Sequence, residues 1–496
     1  MIEDGGIDGI TGRPDTNEVL GIDEIVTRAR QAQRSWAATA LGDRLAILRK
    51  ARIYLALRAR SLAEMIARTG PRSPGEALVT EILPLADAGK FLERRAPRLL
   101  APRRLGARGR PAWLFGVRAE IRREPLGLVL VLAPYNYPLF LPGVQILQAL
   151  AAGNAVIAKP AAEGGPVLST LAEILDNAGL PEGLLAVLDD SVEAGEDAVR
   201  AHPDKVVLTG SARTGRRVAS ALAESLIPAT MELSGNDAVF ILPGADLDLA
   251  AAAVAYGLGL NGGATCIAPR RVFVPREAAA DFEARLAPMI DRMPAAPLSA
   301  SVRDRLMPLL DEAGAAGCRL VPERPEDSAE AMRPLAVFDA DPALGLLKAD
   351  IFAPVVSVVA VDDDEAALQA DEACPYALGA SVFGPETAAR ALAGRIDAGA
   401  VTVNDLIVPT ADPRLPFGGR GESGHGVTRG AEGLLEMTRI KTVSVRRGRF
   451  RPYYDPVRPG DEALFASYGR AAHGGEWRTR LVGLQDMVRL IRRRGR

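Results

Sequence analysis

Cys266 stands in the run ATCIAP, and Gly262, Gly263, Ala264 and Ala268 leave its thiol room to meet a substrate. A cysteine so placed is either a small buried hydrophobe or, where the microenvironment favours thiolate, a nucleophile. Cys318 and Cys374 have no comparable surroundings and read as the first kind. Glu232, in ATMELSGN, follows an apolar stretch and precedes Ser234 and Gly235, a strand-to-turn position from which a carboxylate can point into a cleft. Its competing reading is an ordinary solvated or capping glutamate. Asn136 lies in PYNYP between two aromatics and two prolines, so its amide either donates to an oxyanion from a stiff segment or serves its own turn. KVVLTGSARTGRR puts Gly210 and Gly215 between a strand and a helix, where backbone N–H groups and the helix dipole favour a phosphate. The loop is not GxGxxG, and Arg216 and Arg217 occupy the places where a P-loop needs Lys and Ser or Thr.

These residues need a scaffold. Residues 22–68 carry apolar positions at helical spacing among many arginines, including Ile25, Ala29, Trp36, Leu45, Leu48, Ile53 and Leu57, and predict an amphipathic helical region. Residues 106–127 read as two extended segments, followed by LVLVLAP, a continuous apolar strand ending at Pro134. NAVIAKP (154–160) and KVVLTG (205–210) repeat that pattern, each followed by a helix, as in βαβ units of a doubly wound parallel sheet. A second α/β region starts near Gly235, with strands expected at 238–242, 270–274, 355–361 and 400–404. The fold class is α/β.

A chain of 496 residues exceeds the size at which one core keeps growing, so two or three lobes are expected. Its 60 basic and 62 acidic residues leave a formal charge of -2, which gives no global field for nucleic acid or an anionic membrane. The three cysteines are widely spaced with no CxxC pair, so neither a metal site nor a dithiol is expected, and a reducing cytoplasm fits them. The acidic, Gly-rich start lacks the basic and apolar parts of a secretory signal. The apolar runs fall short of the ~20 residues that span a bilayer.

In order and spacing, from about residue 22 to residue 447, these segments resemble the aldehyde dehydrogenase superfamily. PYNYP is similar to that family's Pro-Trp-Asn-Phe-Pro, GNAVIAKP to its Gly-Asn-x-x-x-x-Lys-Pro, and LTGSARTG to its Thr-Gly-Ser-x-x-x-Gly. MELSGN resembles Glu-Leu-Gly-Gly-Lys, NGGATCIAPRR the nucleophile segment, DIFAPV the Glu-Ile-Phe-Gly-Pro-Val motif, and LPFGGRGESGHG the late Pro-Phe-Gly-Gly segment. The resemblance implies that Cys266 is the nucleophile, Glu232 the base and Asn136 the oxyanion donor. It implies an NAD or NADP site with Lys159 at the adenine ribose, Ser211 at the pyrophosphate and Asp350 with Phe352 near the nicotinamide ribose. Pro134, Gly210, Gly215 and Leu233 complete those contacts.

The implied architecture is a Rossmann-like dinucleotide-binding lobe (1–106 and 126–233), an α/β catalytic lobe (234–432) and a small bridging β-sheet arm (107–125 and 433–449). The implied activity is oxidation of an aldehyde to a carboxylic acid in a homodimer or homotetramer, with no nucleic-acid partner. A CoA-acylating enzyme or a non-catalytic dinucleotide-binding scaffold would share the fold; the retained Glu232 speaks against the first, and the three retained side chains Cys266, Glu232 and Asn136 against the second. Ser234 replaces a family glycine, Asn236 a frequent lysine, and Asp350 the usual glutamate; Ala162 stands where many NAD-preferring members carry a glutamate. The tail, 450–496, ends in LVGLQDMVRLIRRRGR, with Leu481, Leu484, Met487, Val488 and Ile491 on one helical face beside a run of arginines. Docking of that helix on protein, where it would help hold an oligomer, is favoured over contact with an anionic membrane surface.

Overall fold

The computed structural model describes residues 21–326, 328–449 and 451–494. The N-terminal stretch read above for the absence of a signal lies outside the described residues. Helices α1 (Ile22–Ala38), α2 (Leu41–Leu57), α3 (Ala59–Ile66) and α4 (Leu83–Leu99) form the expected helical region. Their apolar stripes bury Ala29 and Trp36, then Leu45, Leu48 and Leu55, then Leu62 and Ile66. The Trp36 indole N–H donates to the Leu150 carbonyl at 2.9 Å, so its burial leaves no orphan donor. Ile53 and Leu57 depart from expectation. They are 43% and 73% exposed, because α2 buries the face of Leu45, Leu48 and Leu55 and these two point away from it.

Strand β1 (Arg103–Leu105), a short turn at 112–114 and strand β2 (Val117–Pro125) occupy the next stretch, so residues 106–127 hold one long strand and a turn where two extended segments were expected. Then β3 (Leu128–Leu132), helix α5 (Phe140–Ala152), β4 (Ala155–Lys159), β5 (Leu185–Val187), β6 (Lys205–Thr209), helix α6 (Ala212–Ala223) and β7 (Ala229–Glu232) alternate strand with helix. Buried on both faces, β3 and β6 read as unbroken apolar runs, as parallel central strands do. The sheet order runs β7-β6-β3-β4-β5 in parallel. Order reverses between β3 and β6, and a crevice opens outside their carboxyl ends, where ligands of such sheets bind.

The seven-stranded second sheet takes β8 (Asp237–Ile241), β9 (Pro269–Pro275), β10 (Arg319–Val321), β11 (Leu335–Phe338), β12 (Val355–Val361), β13 (Gly379–Phe383) and β14 (Ala400–Val403), in the order β10-β11-β12-β9-β8-β13-β14. It is parallel except for the antiparallel edge strand β10. The change of sheet falls between Glu232 and Asp237. One late piece joins the first sheet: β15 (Gly424–His425) pairs antiparallel with β7.

The chain forms two compact units. One runs up to Arg103 and resumes over Ile121–Thr442; the other comprises Arg104–Glu120 and the chain from Val443 on. In the second, helices α7 (Asp461–His473) and α8 (Trp477–Arg494) pack together, with Gly483 so close to α7 that a Cβ there would meet the Ala471 nitrogen at 2.5 Å. The amphipathic terminal helix is therefore present. Packed on α7, it leaves Leu481, Leu484, Val488 and Ile491 40–51% exposed. No helix among the described residues is long and apolar enough to cross a membrane.

Candidate active site

Asn136 sits on the turn between β3 and α5. Helix α5 is almost wholly buried, so its N-terminal N–H groups need an internal partner. Glu81 supplies one: a single carboxylate oxygen accepts from Leu139 N and Phe140 N, each at 2.8 Å. Arg72 closes on Glu81 at 2.7 Å with both side chains buried. Burial pushes the Glu81 pKa up, while Arg72 and the two N–H groups pull it down. Arg72 also stacks 5.2 Å from the Tyr137 ring, and the Tyr137 hydroxyl meets the Thr265 hydroxyl at 2.7 Å. A buried ion pair thus fixes the Asn136 turn against the residue beside Cys266. The sequence reading missed it, because Arg72 and Glu81 lie far from PYNYP along the chain.

The segment that carries Cys266 enters through a left-handed turn at Asn261, Gly262 and Gly263, with φ of 52°, 59° and 81°. Gly263 admits no side chain, since a Cβ would lie 2.6 Å from the Pro354 backbone. Asn261 donates to the carbonyls of Asn136 and Ala264 at 3.0 and 3.2 Å, and the Asn136 amide donates to Ala264 O at 2.9 Å. One Asn136 hydrogen is thereby spent on the segment that carries Cys266, leaving the second for a ligand. Buried Arg270 ties the carbonyls of Gly263 and Ala353, joining the turn before Cys266 to the Asp350–Phe352 loop. Burial lowers the Arg270 pKa to about 10, against the pull of Asp350 and Asp237.

Glu232 closes β7 and is buried, its Oε1 without a hydrogen-bond partner. Burial raises its pKa; the Arg429 charge is the largest opposing influence, followed by the polar neighbours Cys266 and Thr209. Enclosure of the Cys266 thiol pushes its pKa well above the ordinary cysteine range, Glu232 and Asp237 push the same way, and Arg429 opposes them. Gly235 is needed behind the site, because a Cβ there would lie 2.6 Å from the Cys266 carbonyl oxygen.

Cys266, Glu232 and Asn136 line one cleft of about 820 Å³ with Pro134, Lys159, Gly210, Ser211, Leu233, Asp350 and Phe352. Ser211 caps α6 through the Thr214 N–H at 3.2 Å. Lys159 donates to the Asp190 carbonyl at 2.9 Å. Gly215 is the exception among the expected cofactor contacts. It is buried off the cleft, and a Cβ there would come within 2.7 Å of Leu233, so its role is to let α6 approach β7. The departures at Ser234, Asn236 and Asp350 meet in space. Burial raises the Asp350 pKa and the Ser234 hydroxyl opposes it, while the Asn236 amide donates to Ala349 O at 2.8 Å. Cys318 and Cys374 are buried and free, and no cluster of metal-ligating residues occurs among the described residues.

The aldehyde dehydrogenase family model matches residues 12–443. The chain is 31% identical over 459 residues to the NAD(+) benzaldehyde dehydrogenase of Pseudomonas putida, covering 89% of this chain and 91% of that one. It is 30% identical over 427 residues to 4,4'-diapolycopene aldehyde oxidase of a Methylomonas species, covering 84% and 80%. Among solved structures it is similar to the Mycobacterium tuberculosis aldehyde dehydrogenase complexed with NAD+, with a TM-score of 0.80 and 28% identity over 87% of this chain and 91% of that one. The NADP-dependent glyceraldehyde-3-phosphate dehydrogenase of Bacillus halodurans complexed with NADP matches with a TM-score of 0.80 and 27% identity, covering 86% and 91%.

Proposed function

Because the chain belongs to the aldehyde dehydrogenase family, we propose that it oxidises an aldehyde to a carboxylic acid with NAD or NADP, through a Cys266 thioester hydrolysed by water that Glu232 activates. The observation carrying this reading is that Cys266, Glu232 and Asn136, from three separate segments, line one cleft that continues to the switch-point crevice. The residues there suit a dinucleotide: the capped N-terminus of α6 for a pyrophosphate, Lys159 at a ribose, and Asp350 at the other. When bound, the nicotinamide supplies the hydride acceptor.

The protein's own groups account for the remaining steps. The Cys266 thiolate attacks the aldehyde carbon, and the oxyanion is held by the free hydrogen of the Asn136 amide and the Cys266 backbone N–H. Loss of one such donor typically costs ~100- to 1000-fold in rate. Once the carbon is oxidised the thioester remains on Sγ. A water attacks its carbonyl, gives its proton to Glu232, and the carbon–sulfur bond breaks to return the thiolate. A carboxylate whose pKa is raised by burial is a better base near neutrality than a solvated one.

Purified protein is assayed for NADH and NADPH formation with a panel of aldehydes, with and without CoA. Turnover without CoA, yielding free acid, is the expected result; strict dependence on CoA would replace hydrolysis by thiolysis, and no turnover with any aldehyde would favour a binding protein.

A further inference from the structure

Helix α8 carries six arginines against a single acid, Asp486, although the whole chain has a formal charge of -2. That acid is turned inward. Arg470 of α7 reaches it at 3.3 Å, and Gly483, one turn before it, sits where a Cβ would meet the Ala471 nitrogen. Gly483 and Asp486 thus mark the side that packs on α7. At 3.6 residues per turn, Trp477, Leu481, Leu484, Val488 and Ile491 fall within an arc of about 80° on the far side of the helix. All five are 40–69% exposed. Apolar residues scattered singly on a surface need no explanation, but a continuous stripe marks an interaction site.

The margins of the stripe say what it meets. Arg480 and Arg492 border it, each about 20° beyond one edge, and both are exposed. Nε of Arg480 donates to the Gly474 carbonyl. Leu484 and Val488 share one surface depression with Arg489, Arg492 and Arg493, so apolar and cationic groups present themselves to one partner. A second copy of this chain is the partner expected above, and the charges speak against it. Stripe laid on stripe about a twofold axis would set the bordering arginines of the two helices against one another with no acid at either margin, and like charges across an interface repel. Nucleic acid would meet the arginines and leave the five apolar side chains in water.

We propose that α8 docks in the plane of a membrane, seating this stripe in a bilayer surface that bears anionic lipid. Acyl chains take the five apolar side chains, while the arginine stems lie along the stripe and their guanidinium groups reach headgroup phosphates on both sides. Trp477, at the start of the helix, lies where an indole ring settles at headgroup level. No helix among the described residues is long and apolar enough to cross a membrane, so the contact is interfacial.

The test is co-sedimentation of the full-length chain with sucrose-loaded vesicles of phosphatidylcholine alone and of phosphatidylcholine mixed with phosphatidylglycerol. Binding to the anionic vesicles is expected to exceed binding to the neutral ones by about tenfold or more, and to weaken with added salt. Arg480→Gln with Arg492→Gln is expected to lower it by about 10- to 30-fold, since each arginine near an anionic surface commands about fivefold. Leu484→Gln with Val488→Gln is expected to lower it by about tenfold or more. Equal binding to both kinds of vesicle, or either double variant binding as the wild type does, overturns the proposal. If the wild type stays in the supernatant and the Leu484 and Val488 variant lowers the mass seen by light scattering, a second copy covers the stripe and the proposal falls. Should that variant not fold, Trp477→Ala decides: weaker binding to anionic vesicles supports the docking and unchanged binding overturns it. These positions lie outside the cleft that Cys266 lines, so failure here leaves the reading of that cleft untouched.

Discussion

The backbone of Glu232 is paired with that of Gly424 at the edge of the six-stranded sheet. Leu233 N donates to Ser423 O at 3.0 Å, and the Ser423 hydroxyl to Ser234 O at 2.7 Å, so Glu232 is held by a segment nearly two hundred positions further along the chain. Gly424 has φ of 106°, and a Cβ there would lie 2.0 Å from the Met231 carbonyl oxygen. Gly424→Ala is therefore expected to displace the end of β7. We expect about 1–3 kcal/mol of lost stability and a steady rate reduced more than the first-turnover burst. Thermal melts and stopped-flow NADH traces check this; wild-type values in both would show that the pairing does not hold Glu232.

Cys266→Ala is expected to abolish turnover while leaving the melt and dinucleotide binding near wild type. The substitution puts one small residue for another in a turn whose geometry is set by Asn261 and Arg270 rather than by the thiol. Retained turnover would contradict the nucleophile role.

Burial holds the Glu232 pKa above its ordinary value of 4.5 in the folded chain. Between that value and the raised one the folded state binds more protons than the unfolded state, so this group makes stability fall as pH rises through the window. Glu232→Gln should therefore melt higher than wild type above the window, with the difference vanishing below it. A Gln variant less stable than wild type at neutral pH would mean that Arg429 stabilises the carboxylate more than burial penalises it.

With Ala162 exposed and Lys159 close by on the same strand end, NADP should be used within about tenfold of NAD, a gap of ~1.4 kcal/mol. Ala162→Glu should move the preference toward NAD. Comparison of kcat/KM for the two cofactors decides it, and a thousandfold preference for NAD in the wild type would contradict it.

Much of this was legible in the sequence because the central strands are unbroken apolar runs that end on the working residues: LVLVL leads to Asn136, KVVLT to Ser211, and ATME to Glu232 itself. What stayed hidden were charges that a linear reading assigns to solvent. Arg72, Glu81, Arg270 and Arg429 are buried only because segments remote in sequence enclose them, and no local spacing announces it. Gly215 read as a phosphate-loop glycine, yet the need it meets is the bulk of Leu233, which only the packed sheet reveals. The exposure of Leu481, Leu484, Val488 and Ile491 was equally invisible, because a helical stripe has a period but no partner written beside it.

The covalent route is tested most directly by mixing Glu232→Gln protein with NAD and an aldehyde that the wild type oxidises, then measuring the mass of the Cys266 peptide. Hydride transfer precedes the step that needs the base, so a single burst of NADH should be accompanied by an acyl group persisting on Cys266, while the wild type turns over and accumulates little. A burst of NADH with no acyl group on Cys266, or with the group on another residue, would contradict the account.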